Sequence, residues 1–162
     1  MMSAQARPEQ VTSDDAASWQ LMPAAEDMIG AQVMAARAAC GQMTGPAFQL
    51  LRESVDRACR LPARPGWERK AAAHAEIFPL LSRMVGEPAA CGDRSGQSGL
   101  ICDLMRAVGP VANGMITSSR RRLLARLRAG DANGAALEME DHLRTLHFMW
   151  RLARPQRPGA RR

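Results

Sequence analysis

A chain of 162 residues with a 46% hydrophobic share is long enough for one domain with a real core. Aromatics make up only 4% and tyrosine is absent, so methionine and leucine must fill the interior, and a large sheet is excluded. The formal charge of +6 is carried almost wholly by arginine, and five arginines of RLARPQRPGARR at the end account for most of the excess, which speaks against a dedicated nucleic-acid-binding face.

In chain order, residues 1–12 are polar and carry Pro8, which reads as a loose leader. Ser13-Asp14-Asp15 can cap a short helix through Met22. Pro23 suits the first turn of a second helix, which runs to about Ala39 and stops at Gly41. A third helix begins at Thr44-Gly45-Pro46 and carries Phe48, Leu51, Val55 and Ala58. Pro62 and Pro65 then bracket a turn. The fourth helix, about Gly66 to Val85, places His74, Ile77, Phe78, Leu81 and Met84 on one face, with a kink expected from Pro79. CGDRSGQSG, from Cys91 to Gly99, lacks the ending of a phosphate loop and reads as a flexible connection. A fifth helix follows from Leu100 to about Val108.

The stretch from Thr117 to Arg154 reads as a helical hairpin. Ser118 or Ser119 can cap its first helix, whose buried stripe is Leu123, Leu124 and Leu127. Gly130 supplies the left-handed stop and Asp131 caps the second helix. There Ala132, Ala136, Met139, Leu143, Leu146 and Trp150 follow one another by three or four residues, which holds them in one stripe of a 3.6-residue helix. Pro155, Pro158 and Gly159 keep residues 154–162 from continuing it, so a disordered tail is expected. Cys40, Cys59, Cys91 and Cys102 are scattered, with no Cys-x-x-Cys pair, no signal peptide and no apolar run that spans a membrane. These features suggest a cytoplasmic protein with reduced thiols and no zinc pattern.

The segments LLARLRAGDANGAALEMEDHL, HAEIFPLLSRMVGEP and MAARAACGQMTGPAFQLLRESVDRA, in their order and spacing, resemble the FCD domain. This is the all-helical effector-sensing domain of the FadR-type GntR transcription regulators. The resemblance covers roughly residues 23–153 and implies a small-molecule-sensing domain that works in transcription regulation, usually as a dimer. Members of that family carry a winged helix-turn-helix ahead of this domain, and too few residues precede the first FCD-like helix here to form one. A sensing domain without its own DNA reader is therefore expected.

Many FCD domains hold a divalent metal through one Asp and three His, and the metal holds a carboxylate effector. The resemblance places those four positions at Lys70, His74, Arg120 and His142. Two histidines are retained, while the other two positions have become cations, which have no lone pair to give and repel a metal. A metal cofactor is not expected. Two readings stay open. In one, Lys70 and Arg120 replace the metal's charge and, with His74 and His142, bind a small anionic effector directly. In the other, the pocket has decayed, both cations extend to solvent, and the histidines are ordinary half-buried residues. His147 lies about 140° round the helix from His142 and reads as an edge residue. No nucleophile–base or paired-carboxylate arrangement stands out, so catalysis is not expected.

These features predict an all-α fold, a single antiparallel bundle of six or seven helices in residues 23–153, with residues 1–22 as a leader that includes a short helix. The expected function is organic-acid sensing within a GntR-type regulator. The alternatives are a ligand-free module that dimerises with a full-length winged-helix regulator, or weak nucleic-acid binding through the arginine tail. Leu137, Phe148 and Leu152 fall on the charged side of the last helix near Asp141 and Arg144, so self-association through that surface is also expected.

Overall fold

The computed structural model describes residues 13–86 and 94–153; the leader through residue 12, the start of the glycine-rich stretch and the arginine-rich tail lie outside the described residues. The described residues are all-helical and contain no strand. In order they form α1 (Ser13–Gly41), α2 (Gly45–Arg60), α3 (Trp67–Ala75), α4 (Ile77–Val85) and α5 (Arg94–Val108). A 3₁₀ turn at Pro110–Ala112 leads into α6 (Asn113–Arg128), and α7 (Ala132–Ala153) follows. No helix among the described residues is long and apolar enough to cross a membrane.

The stops and starts follow from individual residues. Thr44 caps α2 by accepting a hydrogen bond from the Ala47 amide at 3.2 Å, with Pro46 in the first turn. Gly86 ends α4 at φ 62°, and Gly130 ends α6 at φ 70°, both in the left-handed region that glycine enters without strain. Asp131 then caps α7, its Oδ1 accepting from the Gly134 amide at 2.8 Å. That carboxylate lies directly over Gly134, where a Cβ would collide with it.

Three boundaries differ from the sequence-based expectation. Residues 13–41 form one helix with Pro23 inside it, not a short helix and a second one. Its largest interface is with α7, and that packing outweighs the single backbone donor that Pro23 lacks. The glycine-rich stretch is helical from Arg94, six residues before the expected start. Buried Ile101, Leu104 and Met105 anchor that helix, and Gln97 accepts a hydrogen bond from Gln32 of α1 at 3.2 Å. Tertiary contact offsets the roughly 1 kcal/mol that each glycine costs a helix. Finally, α6 starts at Asn113 rather than at Ser118 or Ser119, and Ser119 is buried inside it.

Where a kink is expected from Pro79, the helix is interrupted at one residue, Glu76, whose backbone keeps helical angles (φ −60°, ψ −24°). Pro79 has no amide to give the Ala75 carbonyl and its ring crowds that oxygen, so α3 ends at Ala75 and α4 begins at Ile77. Glu76 at the break is pinned to α2 by Arg57 at 2.6 Å and Ser54 at 3.5 Å. A single core runs through the bundle, with Met28 and Ile29 of α1, Leu51 of α2, Phe78 and Leu81 of α4, Met105 of α5, Leu123 of α6 and Leu143 of α7 among its residues. The Trp67 indole donates to the Met105 carbonyl at 2.9 Å, which ties α3 to the last turn of α5.

Asp131→Ala should lower stability by about 1 kcal/mol in urea denaturation through loss of the cap. Gly134→Ala should bring little gain in the native background, because its Cβ displaces the capping carboxylate. In the Asp131→Ala background the same change should add about 1 kcal/mol, the ordinary helix preference for alanine.

Candidate functional site

The polar residues singled out from the sequence are all turned inward. Lys70 and His74 of α3, Arg120 of α6 and His142 of α7 are between 1 and 3% exposed. Helical spacing sets this arrangement: Lys70 and His74 lie one turn apart, Arg120 precedes buried Leu123 and Leu124, and His142 adjoins buried Met139, Leu143 and Leu146.

The two cations have different surroundings. The Lys70 ammonium donates to the carbonyls of Leu61 at 2.7 Å and Cys59 at 3.1 Å. These oxygens lie at the C-terminal end of α2, where helix carbonyls lack amide partners and carry the negative end of the dipole. Lys70 therefore caps α2 from inside the bundle, and neither it nor Arg120 extends to solvent.

Arg120 is one of the largest fully buried side chains among the described residues. Its Nη2 donates to the His74 carbonyl at 3.3 Å, in the last turn of α3 just before the Pro79 break. Its guanidinium carbon lies 4.9 Å from the centre of the Phe78 ring, a cation–π contact. Its Nε and Nη1 have no partner among the described residues. No carboxylate forms an ion pair with it among the described residues. The charge of Glu138 reaches it, but that carboxylate is held by a two-pronged contact with Arg122 at 2.9 and 3.0 Å. Burial pulls the Arg120 pKa down to about 10, so the group is still cationic at neutral pH.

The histidines complete the cluster. Among the described residues neither ring nitrogen of His74 or of His142 has a partner. Burial, followed by the nearby charges of Arg120 and Lys70, lowers the His74 pKa to about 3. Burial, followed by Arg120 and His74, drives His142 well below the ordinary histidine value. Both rings are therefore neutral at pH 7, each with one N–H donor and one acceptor nitrogen. Together the three side chains bury one positive charge and six unpartnered nitrogens, two on each residue.

Two further residues were missed from the sequence. Asn113 and Thr117 each bury an unpartnered side-chain oxygen, and with Arg120 they follow at four and three residues along one face of α6. The spacing was present in the sequence, but the helix had been expected to begin after both. His147 is half-buried and stacks on Trp150 with ring centres 5.6 Å apart.

Among the described residues no group of three or more His, Cys, Asp and Glu side chains is placed to hold a metal ion. His74 and His142 are two donors beside a fixed guanidinium, a set that does not fit the one-Asp, three-His metal centre that the family resemblance implies. Chemically the arrangement suits an acceptor-rich, negatively charged guest. The chain matches no protein-family model, and no curated protein or solved structure is significantly similar to it.

The depressed histidine pKa values carry a pH dependence of stability. In the unfolded chain a histidine takes its proton near pH 6.5, whereas folded His74 does so only near 3. The unfolded state binds more protons between these values, so the contribution is fully present above pH 6.5 and is lost as pH falls. Each such histidine should remove about 1.4 kcal/mol per pH unit well below 6.5. Urea midpoints measured from pH 7.5 to 5 should show the decline, and His74→Asn should make it shallower while leaving the part that His142 contributes.

Proposed function

We propose that the chain is an effector-sensing regulatory domain that binds a small organic anion directly at Arg120, without a metal. The observation that carries this reading is the buried guanidinium which, among the described residues, has two unpartnered nitrogens and no ion-paired carboxylate. Placing an uncompensated charge in a protein interior costs several kcal/mol. A bound carboxylate supplies the missing counter-charge, and His74 and His142 add hydrogen bonds to its oxygens. Lys70, already engaged with α2, holds that helix end in place and adds its field to the site.

The resemblance to FCD domains supports the same class of ligand by a different route, because there the carboxylate is held through a metal. Here a fixed cation takes that role, and transcription regulation is the process the domain serves. Its place of action is the cytoplasm, with which free thiols at Cys40, Cys59 and Cys102 are compatible.

A panel of mono- and dicarboxylic acids screened by thermal shift tests this reading. An acid at about 100 times its Kd should add about 2.7 kcal/mol of stability, and a chelator should leave the shift unchanged. Arg120→Met should abolish the shift. In the absence of any acid the same variant should be as stable as the native chain or up to about 4 kcal/mol more stable, since it removes a buried unpaired charge. A panel without a single binder would count against the reading, as would a tightly held zinc or nickel whose removal abolishes acid binding.

A further inference from the structure

We propose that Cys59 is a site of oxidation by peroxides, and that its doubly oxidised form, a sulfinate, becomes the counter-ion of Arg120. This chemistry uses the guanidinium described above and requires no effector. Cys59 is a free, half-buried thiol near the end of α2, packed against the core yet open in part to solvent. It lies five residues after Ser54, about 140° round the helix. That puts it on the flank of α2 away from the contacts of Ser54 and Arg57 with Glu76. α6, which carries Arg120, also packs on α2. Burial acts most strongly on the Arg120 guanidinium, and among the charges that act on it the Cys59 thiolate comes first, ahead of Glu138.

The C-terminal end of a helix ordinarily opposes an anion, because its free carbonyls carry partial negative charge. Lys70 removes that obstacle, since its ammonium covers the carbonyls of Cys59 and Leu61 at 3.1 and 2.7 Å. An anion on the Cys59 side chain therefore meets two buried cations, Lys70 at 3% and Arg120 at 1% exposure. Arg120 also keeps two nitrogens, Nε and Nη1, without a partner among the described residues. These independently mark the place of a missing acceptor. Cys40 and Cys102 have no such surroundings. Burial and then the charge of Asp131 push the Cys40 thiol up. Burial also pushes Cys102 up, and there Arg106 is opposed by Asp103 and Glu68. Thiol reactivity toward peroxide follows thiolate character and access, which nearby positive charge favours.

The Cys59 thiolate attacks one oxygen of hydrogen peroxide. An S–O bond forms as the O–O bond breaks, the sulfur is oxidised by two electrons, and the departing hydroxide takes a proton and leaves as water. A second peroxide repeats the step on the sulfenic acid, and the resulting sulfinic acid gives up its proton. A sulfinate spreads one negative charge over two oxygens, as a carboxylate does, so it suits the planar fork of a guanidinium. A chain oxidised in this way has its buried cation paired from within, which closes the position to a free carboxylate.

The full chain treated with graded hydrogen peroxide and followed by peptide-resolved mass spectrometry should gain two oxygens at Cys59 about tenfold faster than at Cys40 or Cys102. Arg120→Met should slow that gain by about tenfold while keeping the helical circular dichroism. Cys59→Asp places a carboxylate at the same position without any oxidant. Its effect on the urea midpoint should be less unfavourable in the native background than in Arg120→Met, where the carboxylate has lost its cation. Oxidation of Cys59 no faster than that of the other two thiols would overturn the proposal. So would an unchanged rate in Arg120→Met, or an equal effect of Cys59→Asp in both backgrounds.

Discussion

A positive charge that, among the described residues, is buried without an ion-paired carboxylate is the constraint around which the centre of this bundle is arranged. Arg120 is tolerated there because three features act on it together. The break at Glu76 leaves the last carbonyls of α3 without helical donors, and one of them, at His74, accepts from the guanidinium. The Phe78 ring lies against its carbon. His74 and His142, both held neutral, add no second charge. Pro79 is thus connected to the site although it touches none of the site's polar atoms by hydrogen bond. Without the break it causes, the carbonyl that meets Arg120 would lie inside a continuous helix.

Lys70 follows the same physical logic at the end of α2. In both places a buried cation meets the C-terminal carbonyls of a helix, where the backbone itself supplies partial negative charge. The difference lies in how completely the donors are used. Lys70 gives two short hydrogen bonds to backbone oxygens, whereas Arg120 gives a single longer one and retains free donors. The contrast is one of hydrogen-bond satisfaction: the Lys70 ammonium is engaged by two carbonyls, whereas the Arg120 guanidinium is engaged by one.

Much of the architecture was legible in the sequence because it is written in short-range patterns. The stripe from Ala132 to Trp150, the left-handed stop at Gly130 and the cap at Asp131 depend on spacing and on local backbone preference. The place of Lys70, His74, Arg120 and His142 beside apolar stripes was legible for the same reason, but whether the two cations turn inward or out to solvent stayed open, because spacing alone does not say where a long flexible side chain ends. Other features depend on what lies across the bundle. Helical structure from Arg94 through Gly99 goes against local propensity and rests on core contacts of α5 and on the bond from Gln32. Continuity through Pro23 rests on α7, more than a hundred residues later. That Lys70 caps a helix follows from where the carbonyls of Cys59 and Leu61 come to lie, which no pattern around residue 70 encodes.

The pairing of α1 with α7 also bears on how the chain reaches its native state. The first helix has its largest interface with the last, and its ion pair from Glu26 reaches Arg144, 118 residues away. During synthesis α1 emerges long before its main partner, and the part of its surface that packs on α7 stays uncovered until α7 has left the ribosome. Such closure of first element on last raises the contact order of an otherwise local, fast-folding helical topology. The core is incomplete until α7 is in place, and the same helix carries His142 within reach of the Arg120 charge.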